Sequence, residues 1–425
     1  MSEHRSRWRW VWLAALGCFV LAGSTGILLR FGMLLGFPYG LQYANVRHAH
    51  SHLMYFGWVT LAAMGLMAAW LPELTGRPFS SHRSRLFKWS LILILLLSLA
   101  AYVPFLLFGY RSAVVGTVQL PLSTIAAGLN MVAWYWFGWL YWQETKGVAR
   151  IRPLRLWDAA LIFMLAATIG AWGVAVSAAA GLQDPTLSSV FTHLFLDLFA
   201  EGWFVLALLG AIHAGLPSLR NHKWLRHSED GLIMGMPVIF LLGVPVHLLP
   251  LPVRLLGGIG GAFVAVGLWV QAVVLWQSLE KQWKVPLIFL ALKATVNLLV
   301  AVPAVAVWAE RAGLRISYLH WLLLGFVTLG LVVAAAQVWG RRWVPSVGWL
   351  TAVVLLLLVS LVPLTAVWPG QWHGLWTRQF AAWMSVGPVL VVSVFLGRRY
   401  FQKLRQKLNP SKPERESSNK RSSVA

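Results

Sequence analysis

The sequence predicts an all-α fold, a polytopic membrane bundle of about twelve transmembrane helices with both termini on the cytoplasmic side. Three observations predict it. Of 425 residues, 59% are hydrophobic and 11% charged, and the mean hydropathy is +0.69. That is more apolar surface than a soluble core can hide. Apolar runs near twenty residues, each able to cross about 30 Å of hydrocarbon, recur along the whole chain. Lysine and arginine fall between those runs on alternate sides.

Taken in order, the runs lie at residues 11–31, 49–71, 87–108, 120–142, 157–180, 188–214, 231–249, 255–278, 285–308, 316–338, 346–367 and 379–397. The first follows Arg5, Arg7 and Arg9 and has no small-residue cleavage site, so it is expected to stay as a span. The seventh is among the shortest, with Pro250 and Pro252 rather than Pro245 as its expected stop. With the N-terminus inside, the inner segments hold 27 of the 35 Lys and Arg and the outer loops hold 7, with Lys293 inside a span. This is the positive-inside pattern. It assigns the formal charge of +22 to membrane orientation and excludes a nucleic-acid surface. Residues 1–397 form one transmembrane domain. The polar, basic stretch 398–425 is expected to be a disordered cytoplasmic tail. One cysteine, Cys18, excludes a disulfide framework. No loop is long enough for a soluble domain, so any chemistry belongs inside the bundle.

A motif repeats every four spans. His52 opens HLMYFGWVTL on span 2, and His320 opens HWLLLGFVTL on span 10; Arg47 and Arg315 each precede their histidine by five residues. Span 6 carries DLFAEGWFVL, with Asp197 at the histidine position. The spacing predicts three parallel four-helix units, at roughly 1–145, 146–283 and 284–397, about a pseudo-threefold axis along the membrane normal.

Six histidines fall in the outer third: His48, His50 and His52 on span 2, His193 on span 6, His247 near the end of span 7, and His320 on span 10. A polar group in hydrocarbon must be paired or ligating, and imidazole ligates haem iron, copper and zinc. His52 and His320, matched by the repeat, are the expected axial pair of a low-spin, bis-histidine haem, with His50 as alternative for the first. Arg47, Arg315 and Arg378 are candidate partners for its propionates, or interfacial side chains that snorkel. His193, Asp197 and Glu201 recur every four residues and share one helix face. With His247 they are candidates for a second metal, copper or non-haem iron. Asp197 and Glu201 are the candidate catalytic carboxylates; a mutually hydrogen-bonded network is the alternative. Lys293 shares a face with Asn297 and belongs to a proton or ion path, or snorkels inward. The 26 tryptophans read as interfacial anchors.

Twelve spans, three four-helix units, and outer histidines on spans 2, 6, 7 and 10 resemble the large subunit of the haem-copper oxidase and nitric oxide reductase superfamily. The resemblance implies a low-spin haem on His52 (or His50) and His320. It also implies a non-haem metal held by spans 6 and 7, because LFAEGW at 198–203 looks like the iron-binding segment of nitric oxide reductases. Three features depart from the family pattern. Span 10 reads Tyr318-Leu-His320 where the family has His-x-His, span 2 reads His50-Ser-His52, and span 7 keeps His247 alone.

The expected function is a haem-binding oxidoreductase or electron-transfer protein of a prokaryotic inner (plasma) membrane, reducing O2 or NO. Quinol or a separate cytochrome subunit would be its donor and the lipid bilayer its surroundings. Two alternatives stand beside it: a transporter or channel using Asp197, Glu201 and Lys293, and a non-catalytic haem- or copper-binding regulatory protein.

Overall fold

The computed structural model describes residues 3–408, and they are almost entirely helical. Twelve principal helices follow the expected runs: α1 Arg9–Leu35, α2 Tyr43–Thr75, α3 Ser81–Phe108, α4 Leu122–Thr145, α5 Arg152–Ala179, α6 Pro185–Ala214, α7 Lys223–Ile239, α8 Leu251–Ser278, α9 Lys284–Val300, α10 Leu314–Trp339, α11 Val347–Leu361 and α12 Leu375–Leu408. Among the described residues, ten helices are long and apolar enough to cross a membrane. α4 falls outside that set because its four tryptophans, two tyrosines and Asn130 lower its hydropathy, and α7 because Arg226, Glu229 and Asp230 lie within it. A small hairpin of β1 Ala113–Val115 and β2 Val118–Leu120 joins α3 to α4.

Three boundaries differ from expectation. α7 ends at Ile239, passes through a 3-10 turn at Phe240–Leu242, and bends at Gly243, before Pro245 rather than at Pro250. At the bend the backbone lies close against α6, where a Cβ at Gly243 would run into the Asp197 carboxylate and the His193 ring. The ninth run divides. α9 stops at Val300, and Pro303 opens a separate helix, Pro303–Arg311, since proline lacks the N–H that would continue the ladder. α12 extends as far as Leu408, so residues 398–408 are helical where a disordered tail was expected. The remaining tail lies outside the described residues.

Each helix packs on its neighbours in sequence, and α12 closes the circuit against α1. Inside this ring sit α2, α6 and α10, which touch one another. Of their most apolar 18-residue windows, 89, 83 and 78% is buried, against 28–50% for the other seven spanning helices. The outer helices instead expose large apolar side chains such as Leu96, Ile162, Ile259, Val359 and Leu390.

The three central helices share a backbone irregularity. Leu53–Thr60, Leu198–Val205 and Trp321–Thr328 are π-helical, eight residues each, starting directly after His52, Asp197 and His320. These are the three stretches that the motif aligns. A π turn accommodates an extra residue and tends to occur at functional sites. The glycine in each segment meets an outer helix at close range. A Cβ at Gly202 would lie 2.7 Å from Phe163 of α5, and one at Gly57 or Gly325 would crowd Cys18 of α1 or Phe289 of α9. Only a residue without a side chain permits that approach.

Side chains from these segments also link the central helices. Trp58 Nε1 donates to Thr328 Oγ1 of α10 at 3.0 Å, and Trp203 Nε1 of α6 donates to Thr60 Oγ1 of α2 at 3.1 Å. At the remaining junction, between α10 and α6, the corresponding residues are Phe326 and Val205. Donor and acceptor are both replaced by apolar groups there, so no buried polar atom is left unmatched.

Candidate functional site

The π segments carry two polar constellations on their N-terminal side. The first lies between α2, α10 and α1. His50 Nδ1 donates to the Ala22 carbonyl at 2.7 Å, and His320 Nδ1 donates to the Ile316 carbonyl at 2.7 Å. A carbonyl only accepts, so each ring carries its proton on Nδ1 and presents a lone pair on Nε2. Neither Nε2 has a hydrogen-bond partner among the described residues, and neither is sealed off by neighbouring atoms. Gly26 makes room for the first ring, since a Cβ there would sit 2.9 Å from His50 Cε1. His320, His50 and Arg30 lie within electrostatic range of one another. Arg30 is half-buried, and among the described residues it forms no ion pair with an acid.

His52 faces elsewhere. Its ring stacks on Phe105 of α3 with centroids 3.8 Å apart, and Nε2 lies 3.2 Å from the Tyr110 hydroxyl. Residues two apart on a helix point to nearly opposite sides, so of His50 and His52 only one can look towards α10. It is His50, and His52 gives up the place that the repeat suggested for it. His48 packs edge-on to Tyr110.

The second constellation joins α6, α9 and α10. His193 Nδ1 donates to Asp197 Oδ2 at 2.6 Å, and Arg315 donates to His193 Nε2 at 3.0 Å while reaching Asp197 Oδ1 at 3.5 Å. One turn further along α6, Lys293 Nζ donates to Glu201 Oε2 at 2.8 Å, and the Tyr318 hydroxyl donates to Oε1 at 2.7 Å. Glu201 is 6% exposed and Lys293 2%, so the pair is almost fully withdrawn from solvent. Tyr55 of α2 borders the cluster, within electrostatic range of Asp197, Glu201 and Arg315. Two cations face two carboxylates, and the net charge is zero with His193 neutral. One turn beyond Lys293, the buried Asn297 Nδ2 has no partner.

The second-metal expectation does not assemble. Among the described residues no group of three or more His, Cys, Asp or Glu converges as a metal site. Asp197 and Glu201 are matched by Arg315 and Lys293, and both nitrogens of His193 are engaged. His247 is on the 3-10 turn Val246–Leu248, where it lines a surface recess with Arg254, Glu310 and Arg311. Of the arginines expected near a propionate, Arg47 is exposed and sits over the Tyr43 ring at 5.8 Å. Arg378 lines a second surface recess beside His373 and Thr377, and Arg315 is committed to His193 and Asp197.

Arg30 is the residue that sequence reasoning passed over. It was counted only as an outer-loop charge, although an arginine ending an apolar run within reach of two imidazoles was a usable signal. Tyr318 was noted only as a missing histidine, yet it is the hydroxyl partner of Glu201. No protein-family model matches this chain, and no curated protein matches it in sequence.

Proposed function

We propose that the chain is a twelve-span protein of a cell membrane, with cytoplasmic termini and three four-helix units about a pseudo-threefold axis. On this reading it binds haem between α2 and α10 for electron transfer or the reduction of a small gas such as O2 or NO. The positive-inside distribution supports the orientation. The coincidence of the π segments with the repeated motif supports the three units.

One observation carries the haem reading. His50 and His320 each give their Nδ1 proton to a main-chain carbonyl and hold Nε2 open. That is the tautomer an axial ligand needs, and the backbone bond fixes the ring and raises its basicity. The donor set suits an iron porphyrin: two neutral imidazoles on separate helices, and an unpaired guanidinium at Arg30 suited to a carboxylate. Bound haem would supply one-electron iron chemistry. The chain's own residues supply two ligands, an anion partner and an apolar wall. Tyr318 in place of a histidine leaves no second ligand on α10 for another haem.

Optical absorption of the purified protein, before and after dithionite, tests this. A Soret band that His50→Ala and His320→Ala abolish and His52→Ala keeps is the expected result. A protein without a chromophore, or equal loss in all three variants, refutes it.

The buried Glu201–Lys293 pair favours a second reading, a transporter whose path crosses between α6 and α9. It requires solute flux in liposomes that stops with Glu201→Gln, in a protein with no chromophore.

A further inference from the structure

A recess of about 530 Å³ lies away from both constellations. Its walls are the turn before α8 and the short helix Pro303–Arg311, on the outer side in the proposed topology. Arg254, Glu310, Arg311 and His247 line it together with Leu249 and Val307. No hydrogen bond or ion pair within the described residues engages these four polar side chains, although two cations and an acid share one wall. The Arg254 Nε is shut off from solvent and still has no partner. A buried guanidinium nitrogen without an acceptor is costly, and among the described residues none reaches the Arg254 guanidinium.

The surroundings say what kind of molecule brings it. From the recess, α8 runs into the bundle with Leu255, Ile259 and Phe263 uncovered at 57, 58 and 47% exposure. Trp308, 54% exposed, stands on the short helix, and tryptophan is the residue that settles at headgroup depth. The ligand therefore has an ionic head and an apolar tail. Two guanidiniums match a phosphate. The unpaired Glu310 beside them calls for a cation on the same head, at a distance short enough to share the recess.

The geometry points to a phospholipid with a zwitterionic phosphoethanolamine headgroup. Its phosphate lies on Arg254 and Arg311, its primary ammonium donates to Glu310, and an acyl chain lies along Leu255 and Ile259. Phosphatidylglycerol offers Glu310 only neutral hydroxyls and no cation. Phosphatidylcholine offers a quaternary ammonium that has no proton to donate.

Native mass spectrometry of the delipidated protein, titrated with dipalmitoyl phosphatidylethanolamine, phosphatidylglycerol or phosphatidylcholine, tests the assignment. Wild-type protein is expected to retain phosphatidylethanolamine in preference to the other two. Arg254→Gln combined with Arg311→Gln should weaken that binding about tenfold or more. Glu310→Gln should erase the preference among the three lipids while keeping phospholipid bound. Each variant is compared by thermal melting, so that loss of fold is separated from loss of the site. Equal retention of the three lipids by wild-type protein, or unchanged binding in the double arginine variant, overturns the proposal. Displacement by water-soluble phosphoethanolamine at the lipid's own concentration also overturns it, since the apolar stripe would then contribute nothing.

Discussion

Two residues apart on α10, Tyr318 and His320 belong to opposite kinds of polar site. Towards α6 and α9, Tyr318 joins Lys293 on Glu201 while Arg315 caps His193 and Asp197, and each of these charges is answered within the chain. Towards α2, His320 and His50 are fixed through Nδ1 and left open at Nε2, with the unpaired Arg30 nearby. Glu201, Lys293 and His193 are buried while His50, His320 and Arg30 are half-buried, but that is not the deciding contrast. What differs is whether the donors and acceptors close on one another. A closed set holds helices in register, and an open set calls for something else to complete it.

Lys293→Met should separate the two most sharply. It leaves the Glu201 carboxylate in an apolar setting without its cation, and breaking a buried pair this way costs about 3–5 kcal/mol. Thermal melting should show a large drop that Lys293→Met combined with Glu201→Gln largely reverses. If the single variant melts like wild type, the closed network contributes nothing to register. Next in size, Gly202→Ala pushes a methyl towards Phe163 and should destabilise the fold by about 1–3 kcal/mol, with any haem spectrum unchanged in shape. Smaller still, Trp58→Phe removes the bond to Thr328 and should cost about 1 kcal/mol. Adding Thr328→Val should recover most of that, because the double variant copies the apolar Phe326 and Val205 junction. On the open side, added haem should raise the melting temperature of wild-type protein and of His52→Ala but not of His320→Ala, since a ligand stabilises only the state that binds it. The smallest effect is expected for Arg47→Gln, whose exposed side chain should change neither melting nor absorption measurably.

Much of this architecture was legible in the sequence. Hydrophobic runs located the ten helices that, among the described residues, are long and apolar enough to cross a membrane, because a lipid-facing or core helix must be apolar along its length. The motif after His52, Asp197 and His320 marked the three segments that become the π-helical centre. Local spacing did not disclose pairings across the bundle. Glu201 and Lys293 are 92 residues apart, and nothing near either residue names the other. The choice between His50 and His52 was equally hidden, since it depends on which side of α2 faces α10. The stripe of His193, Asp197 and Glu201 was legible from its spacing, but the Arg315 and Lys293 partners that face it from α10 and α9 were not. The early end of α7 was also not legible: the prolines pointed to Pro250, and the close approach of Gly243 to α6 is a tertiary feature that local sequence does not show.

The widened turns at residues 53–60, 198–205 and 321–328 act as phase shifters. Each slips one additional amino acid into a helix that otherwise keeps strict time, so the half before it is rotated relative to the half after it, compared with an unbroken α-helix of the same length. Tightening 53–60 to the ordinary pitch at unchanged length would swing everything before it by one residue's rotation, about 100°, carrying His50 away from α10, whereas removing one residue along with the widened turn would keep His50 where it is.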